Sequence, residues 1–282
     1  MNVLSAAATA MADGKRAALV TIIGIEGSAP RRSSARMLVF DDGSIVGTVG
    51  GGHFELKVIE AAINAIKTSR PCRFSANLTR DLGMCCGGTM EAYIEPLEAV
   101  VDLVIYGAGH VGCATANMAA LAGFRVTVLD ARPEYADATR FDERVTVKCV
   151  EPLLDLEALP WGANSYHLVL THSHSLDQNL VASMLPRPLG WLGMIGSRTK
   201  VAKFFLRFRA AGIDESLFSK LSAPVGLDIN AETPEEIAIS ILAELVRVKR
   251  NAGQNPAPLS EHPIDARGGD GRAHPPAFTP GE

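Results

Sequence analysis

An apolar run, Leu103-Val104-Ile105-Tyr106, leads directly into Gly107-Ala108-Gly109-His110-Val111-Gly112 and then into an alanine-rich stretch ending at Gly123. This order of strand, glycine turn and helix constrains the fold more than any other part of the sequence. A second apolar run, Phe124 to Leu129, ends in Asp130, 18 residues beyond Gly112, where dinucleotide-binding units carry a ribose-binding carboxylate. The glycines permit a tight turn and close backbone approach. The helix N-terminus that follows presents amide N–H groups and the positive end of its dipole to a phosphate. Gly107, Gly109, Gly112 and Asp130 are therefore candidate cofactor-binding residues for NAD(P) or another nucleotide. Arg132, two residues further on, leaves NAD and NADP both open. The same pattern also serves as a framework without a nucleotide, because fold does not fix function.

From Val101 onward strand and helix alternate, which predicts a parallel sheet with helices on both faces. Further strands are expected at Val145–Cys149, His167–Leu170 and Trp191–Ile195, and helices over Lys200–Ala211 and Pro234–Lys249. Thr233, Pro234 and Glu236 give the last helix its cap, first-turn residue and capping-box partner. The chain before about Pro96 reads as a smaller α+β domain. It has β-rich runs at Ala17–Ile25, Arg36–Phe40 and Ser44–Gly47, with Asp41-Asp42-Gly43 as a hairpin turn. Gly50-Gly51-Gly52 opens a helix through Lys67, and two short strands near Cys72–Leu78 and Thr89–Glu95 bracket a loop. The fold class is thus α/β: an N-terminal α+β domain over 1–98, a Rossmann-like domain over 99–250, and a disordered tail over 251–282 too rich in proline and glycine to build a core.

The net charge of −4 and the pI near 6.0 argue against a general nucleic-acid partner, since no basic stripe neutralises phosphates. No uninterrupted apolar segment is long enough to span a bilayer, and Val3–Ala12 lacks a basic leader, so the expected location is the cytoplasm. Five cysteines at irregular spacing fit free or catalytic thiols better than a disulfide framework.

Two of those cysteines, Cys85 and Cys86, lie in Asp81-Leu82-Gly83-Met84-Cys85-Cys86-Gly87-Gly88. A thiolate is both a nucleophile and a soft-metal ligand, and flanking glycines let a substrate approach the sulfur. The pair is the candidate catalytic and metal-contacting element. The alternative is two small buried hydrophobes before a turn, or an adjacent disulfide.

Arg31 in Gly27-Ser28-Ala29-Pro30-Arg31, with Gly50, Gly51, Gly52 and Glu55, could cradle an anion; a pair of ordinary turns is the other reading. Thr171-His172-Ser173-His174-Ser175-Leu176-Asp177 should emerge at the carboxyl edge of the parallel sheet, where doubly wound folds bind ligands. His172, His174 and Asp177 invite a zinc reading, but the spacing departs from metallo-hydrolase patterns, and the histidines are read as crevice-lining hydrogen-bonding groups. Gly196-Ser197-Arg198-Thr199-Lys200 forms another glycine turn, with Ser197 and Arg198 as candidates for a second anion.

The ordered set GSAPR, GTVGGGHFE, GMCCGG, VIYGAGHVG, THSHSLD, GMIGSRTK and APVGLDI resembles the XdhC/CoxI family of molybdenum hydroxylase accessory proteins, from about Gly24 to Glu244. The resemblance implies a chaperone that binds the molybdenum cofactor (molybdopterin), supports its sulfuration with a cysteine desulfurase, and inserts it into xanthine dehydrogenase or a related enzyme. Under it, Cys85 or Cys86 contacts the molybdenum or passes sulfur, and Arg31 and the Gly50–Gly52 turn hold the anion. A homodimer is the expected assembly. The competing class is an NAD(P)-dependent oxidoreductase, with Gly107–Gly112 and Asp130 on the cofactor and His172 or His174 moving a proton.

Overall fold

The computed structural model describes residues 2–27, 34–81, 88–250 and the pair 277–278. Two compact units divide between Ala99 and Val100, with Ala277–Phe278 belonging to the first.

The first unit opens with helix α1 (Val3–Ala12), which Asn2 caps by accepting from the Leu4 N–H. Strands β1 (Ala17–Gly27), β2 (Arg36–Phe40) and β3 (Ile45–Gly47) follow, then helix α2 (Gly52–Thr68) and strands β4 (Cys72–Asn77) and β5 (Gly88–Leu97). β1 lies between β2 and β5, antiparallel to both, and β3 and β4 extend the sheet on either side. Alternation along the strands sorts the two faces. Val20, Ile22, Met37, Val39, Phe74 and Met90 pack with Phe54, Val58 and Ala62 of α2, whereas Ala17 and Leu38 meet Ala6, Ala7 and Ala10 of α1.

The second unit contains β6 (Asp102–Tyr106), α3 (His110–Leu121), β7 (Arg125–Asp130), β8 (Thr146–Cys149), β9 (Gly162–Val169), α4 (His174–Met184), β10 (Leu189–Met194), α5 (Arg198–Ala210), β11 (Leu221–Ser222) and α6 (Pro234–Lys249). All its strand pairs are parallel, in the order β8-β7-β6-β9-β10-β11. This is the dinucleotide-binding arrangement, with its switch point between β6 and β9. Neighbouring residues of β6 serve opposite cores: Leu103 and Ile105 pack with Ala116 of α3 and Ile241 of α6, while Val104 and Tyr106 pack with Val181 of α4 and Phe204 of α5. The sheet is therefore covered on both faces, as the strand–helix alternation predicts. His167 on β9 is fully buried with Nδ1 2.9 Å from the Tyr106 hydroxyl, and burial pushes its pKa down to about 4. It is neutral at pH 7.

The final two-residue strand, β12 (Ala277–Phe278), pairs in parallel with β4. The remainder of the segment expected as a tail lies outside the described residues. Among the described residues no helix is long and apolar enough to cross a membrane.

Candidate functional site

Three glycines build the mouth of the parallel sheet, each for a different reason. Gly107 has φ +116, and a Cβ there would lie 2.5 Å from the Leu170 carbonyl oxygen. A Cβ on Gly112 would lie 2.1 Å from the Gly107 oxygen, so α3 seats itself directly on the turn. At Gly109, by contrast, a Cβ would meet nothing within 4 Å. Gly109 is also the N-cap of α3, with no side-chain capping bond and no acidic residue in the first helical turn. The N-terminus of α3 thus carries no side-chain cap and leaves room beside Gly109, which is compatible with a phosphate at the helix amides.

A cavity of about 260 Å³ adjoins this turn, lined by Gly107, Asp130, Glu151, Thr171 and His172 among others. These residues lie at or just after the carboxyl ends of β6, β7, β8 and β9, so the cavity sits at the switch point. Asp130 is 4% exposed. Its Oδ2 accepts from the Ala108 N–H (2.8 Å) and Arg132 Nη2 (2.8 Å), and its Oδ1 from the Arg132 N–H (3.0 Å) and Nε (2.9 Å). Burial pushes the carboxyl upward, but the bonds from Arg132 and Ala108 outweigh it and hold the pKa below the ordinary value. Asp130 is a carboxylate already held on the crevice floor.

The segment after β9 is fastened by a carboxylate the sequence reading considered only as a metal ligand. Asp177 is fully buried. Its Oδ1 accepts from the Thr171 N–H (3.0 Å) and hydroxyl (2.7 Å), and its Oδ2 from Lys200 Nζ (2.6 Å), which also donates to the Ile195 carbonyl (3.1 Å). Lys200 therefore ties the start of α5 to the β9–α4 turn. Among the described residues no three His, Cys, Asp or Glu side chains converge as a metal site. His172 lines the cavity; His174 is exposed at the first position of α4. Ser197 caps α5 by accepting from the Lys200 N–H (3.2 Å), and Arg198 is exposed beside it. His174, Ser197 and Arg198 do not line the cavity that Asp130 and His172 share.

Glu244 is a structural residue the sequence reading missed. Only 3% exposed on α6, it accepts from the Gly226 N–H (2.6 Å), the Trp191 indole (3.3 Å) and the Ser222 hydroxyl. It fixes the loop that follows β11. The available signal is one acid set among the apolar residues Ile241, Leu242, Leu245 and Val246.

In the first unit, Glu55 turns back on its own loop. It accepts from the Val49 N–H (2.9 Å), the Gly51 N–H (3.1 Å) and the Thr48 hydroxyl, while the Gly50 N–H goes to Thr48 Oγ1 (3.1 Å). Burial pushes the Glu55 carboxyl up, but the Thr48, Gly51 and Val49 bonds together hold it below its ordinary value. The negative charge expected to sit beside a bound anion is thus engaged within the turn, and Gly52 is the first residue of α2. Arg31, Cys85 and Cys86 lie outside the described residues. The strands around them are described, and their registers place Gly27 opposite Gly88, Asn77 opposite Thr89, Arg36 opposite Thr21 and Gly47 opposite Met37. Gly27 and Gly88, the described residues that flank 28–33 and 82–87, are thus paired, whereas Gly47, which leads into 48–51, pairs with Met37 at the level of Val20, seven residues before Gly27 on β1.

Residues 10–76 match the XdhC and CoxI family, and residues 103–245 match the XdhC Rossmann domain. The chain is 39% identical over 257 residues to the uncharacterized protein YqeB of Escherichia coli (strain K12), covering 89% of this chain and 47% of that protein. It is 30% identical over 165 residues to a probable xanthine dehydrogenase subunit of Bacillus subtilis (strain 168), covering 57% of this chain and 47% of the relative. It therefore spans about half the length of both. A third relative, the molybdenum cofactor insertion chaperone PaoD of Escherichia coli (strain K12), is 23% identical over 304 residues, with 88% of each chain covered. With both domain matches in the expected order over the antiparallel and the parallel sheet, the chain belongs to the XdhC and CoxI family.

Proposed function

We propose that the chain is a molybdenum cofactor chaperone that binds the cofactor as cargo, supports its sulfuration with a cysteine desulfurase, and inserts it into xanthine dehydrogenase or a related molybdenum hydroxylase. The observation that carries this reading is the pairing of Gly27 with Gly88, the described residues that flank segments 28–33 and 82–87. Arg31 and the Cys85-Cys86 pair belong to those two segments, so in this reading a cationic group and soft sulfur ligands serve one phosphorylated, metal-bearing molecule. The relation to an insertion chaperone over 88% of both chains supports the same reading.

In this reading the parallel-sheet unit has a separate task. Its open Gly109 turn and adjoining cavity fit the phosphate and ribose of a nucleotide, with Asp130 and His172 on the walls.

The deciding experiment incubates purified protein with freshly released molybdenum cofactor, separates bound from free, and assays bound pterin for wild type and for the Cys85→Ala, Cys86→Ala double variant. Near-stoichiometric binding by wild type, lost in the variant, is the expected result. Full binding and client activation by the double variant would remove the thiol role. No binding by wild type would sink the chaperone and favour an NAD(P)-dependent oxidoreductase.

A further inference from the structure

Resting on the reading of the crevice as a nucleotide site, we propose that its ligand carries a phosphate on the ribose 2′ position, and that Arg132 selects it. In this architecture the acid at the end of β7 ordinarily accepts the ribose 2′-hydroxyl. A carboxylate offers about four acceptor directions, and in Asp130 four donors already point at them: the Ala108 N–H, the Arg132 N–H, Arg132 Nε and Arg132 Nη2, all within 3.0 Å. A free 2′-hydroxyl therefore finds no acceptor unless Arg132 is displaced from a buried carboxylate. Such a displacement strips a charge-assisted bidentate pair to gain one neutral donor.

A phosphate needs no such rearrangement. Arg132 Nη1 has no hydrogen-bond partner among the described residues, and the side chain is 26% exposed. Its guanidinium lies 3.9 Å above the Tyr135 ring, so the plane is set before a ligand arrives. A second guanidinium is fastened to the same corner: Arg140 Nη1 donates to the Ala108 carbonyl (3.0 Å) and the Tyr135 carbonyl (2.6 Å). Two cations and one carboxylate are thus fixed around Ala108, next to Gly109, where the turn is open. Glu151, the other acid lining the cavity, belongs to the loop after β8 and is exposed. The corner is built to receive an anion beside the ribose, which is the chemistry of NADP(H) and 2′-phosphorylated relatives.

Isothermal titration of the full chain with 2′,5′-ADP and with 5′-AMP isolates the claim, because the two probes differ only in the 2′-phosphate. Wild type is expected to bind 2′,5′-ADP at least about tenfold more tightly, a gap typical of one charge-assisted contact. Arg132→Ala is expected to bring the two affinities within about threefold, and Arg132→Lys, which keeps the charge without the fork, to lie between. Wild type binding 5′-AMP as tightly as 2′,5′-ADP would overturn the 2′-phosphate assignment and leave the crevice a nucleotide site. A preference undiminished in both variants would overturn the role of Arg132. If neither probe binds wild type, the nucleotide reading falls and this inference with it. The wild-type comparison stands even if the alanine variant, with Asp130 left unpaired, does not fold.

Discussion

Two turns in which glycines run into a helix, Gly47–Gly52 before α2 and Gly107–Gly112 before α3, use the motif in opposite ways. In the first, Glu55 reaches back from the helix and takes the amides of Val49 and Gly51, while Thr48 takes that of Gly50. In the second, no side chain caps the helix and no acid stands in its first turn. One turn is satisfied from within, and the other is left for something else to satisfy. A glycine turn at a helix start is therefore open to an anion only when no carboxylate from the first helical turn already takes its amides. The nearest carboxylate to the second turn, Asp130, comes from a different strand and takes only the Ala108 amide of that turn.

The strongest way to break the contrast is to disable the open turn sterically. Gly112→Ala places a Cβ 2.1 Å from the Gly107 carbonyl oxygen, where backbone must move, and is expected to cost about 3 kcal/mol or more and to abolish nucleotide binding. Urea denaturation followed by fluorescence, with ligand titration of whatever remains folded, checks both.

Next in size is the closed turn. Glu55→Ala leaves the Val49 and Gly51 amides and the Thr48 hydroxyl without their acceptor, an expected loss of about 2 kcal/mol. Because the Glu55 carboxyl sits below its ordinary value of 4.5, its contribution is complete above that pH. It fades as pH falls through the lower folded-state value, when the carboxylate must be protonated. The stability difference between wild type and Glu55→Ala, measured by urea titration at a series of pH values, should be flat from pH 7 to 5 and shrink below about pH 4. A difference that grew on acidification would show that Glu55 does not act as the ionised acceptor.

The same contrast explains what the sequence discloses and what it withholds. The Rossmann-like unit is legible because its strands are buried on both faces and read as continuous apolar runs, and because its glycines stand at the spacing the turn demands. α6 is legible to the residue, since the Thr233–Glu236 capping box forms as read. α4 is not foreseen: His174, Ser175, Asp177 and Asn179 are mediocre helix formers, and Ser173 capping and burial of Leu180 and Val181 override them. β11 is invisible in the sequence because two residues give no period; its pairing with β10 supplies the signal. At the candidate sites the sequence names polar residues but not their partners. Asp177 reads as a metal ligand until Lys200, 23 residues away, is seen to face it. Glu55 reads as an anion-site residue until its bonds turn inward.

The smallest expected change in stability is the most informative about binding. Gly109 has φ −62, an angle any residue adopts, and a Cβ there meets no atom within 4 Å. Gly109→Ala should therefore fold normally, losing no more than about 1 kcal/mol through its weaker N-cap preference. The added methyl group nevertheless stands where a phosphate must approach the α3 amides, so nucleotide affinity should drop by about tenfold or more. Gly51 provides the matched control, because a Cβ there also meets nothing, yet its own amide already bonds Glu55 and its φ of +74 makes alanine strained. Gly51→Ala should cost stability without touching nucleotide affinity. If titration instead shows Gly109→Ala binding like wild type, the open turn is not the phosphate seat, and the difference between the two glycine turns is one of packing alone.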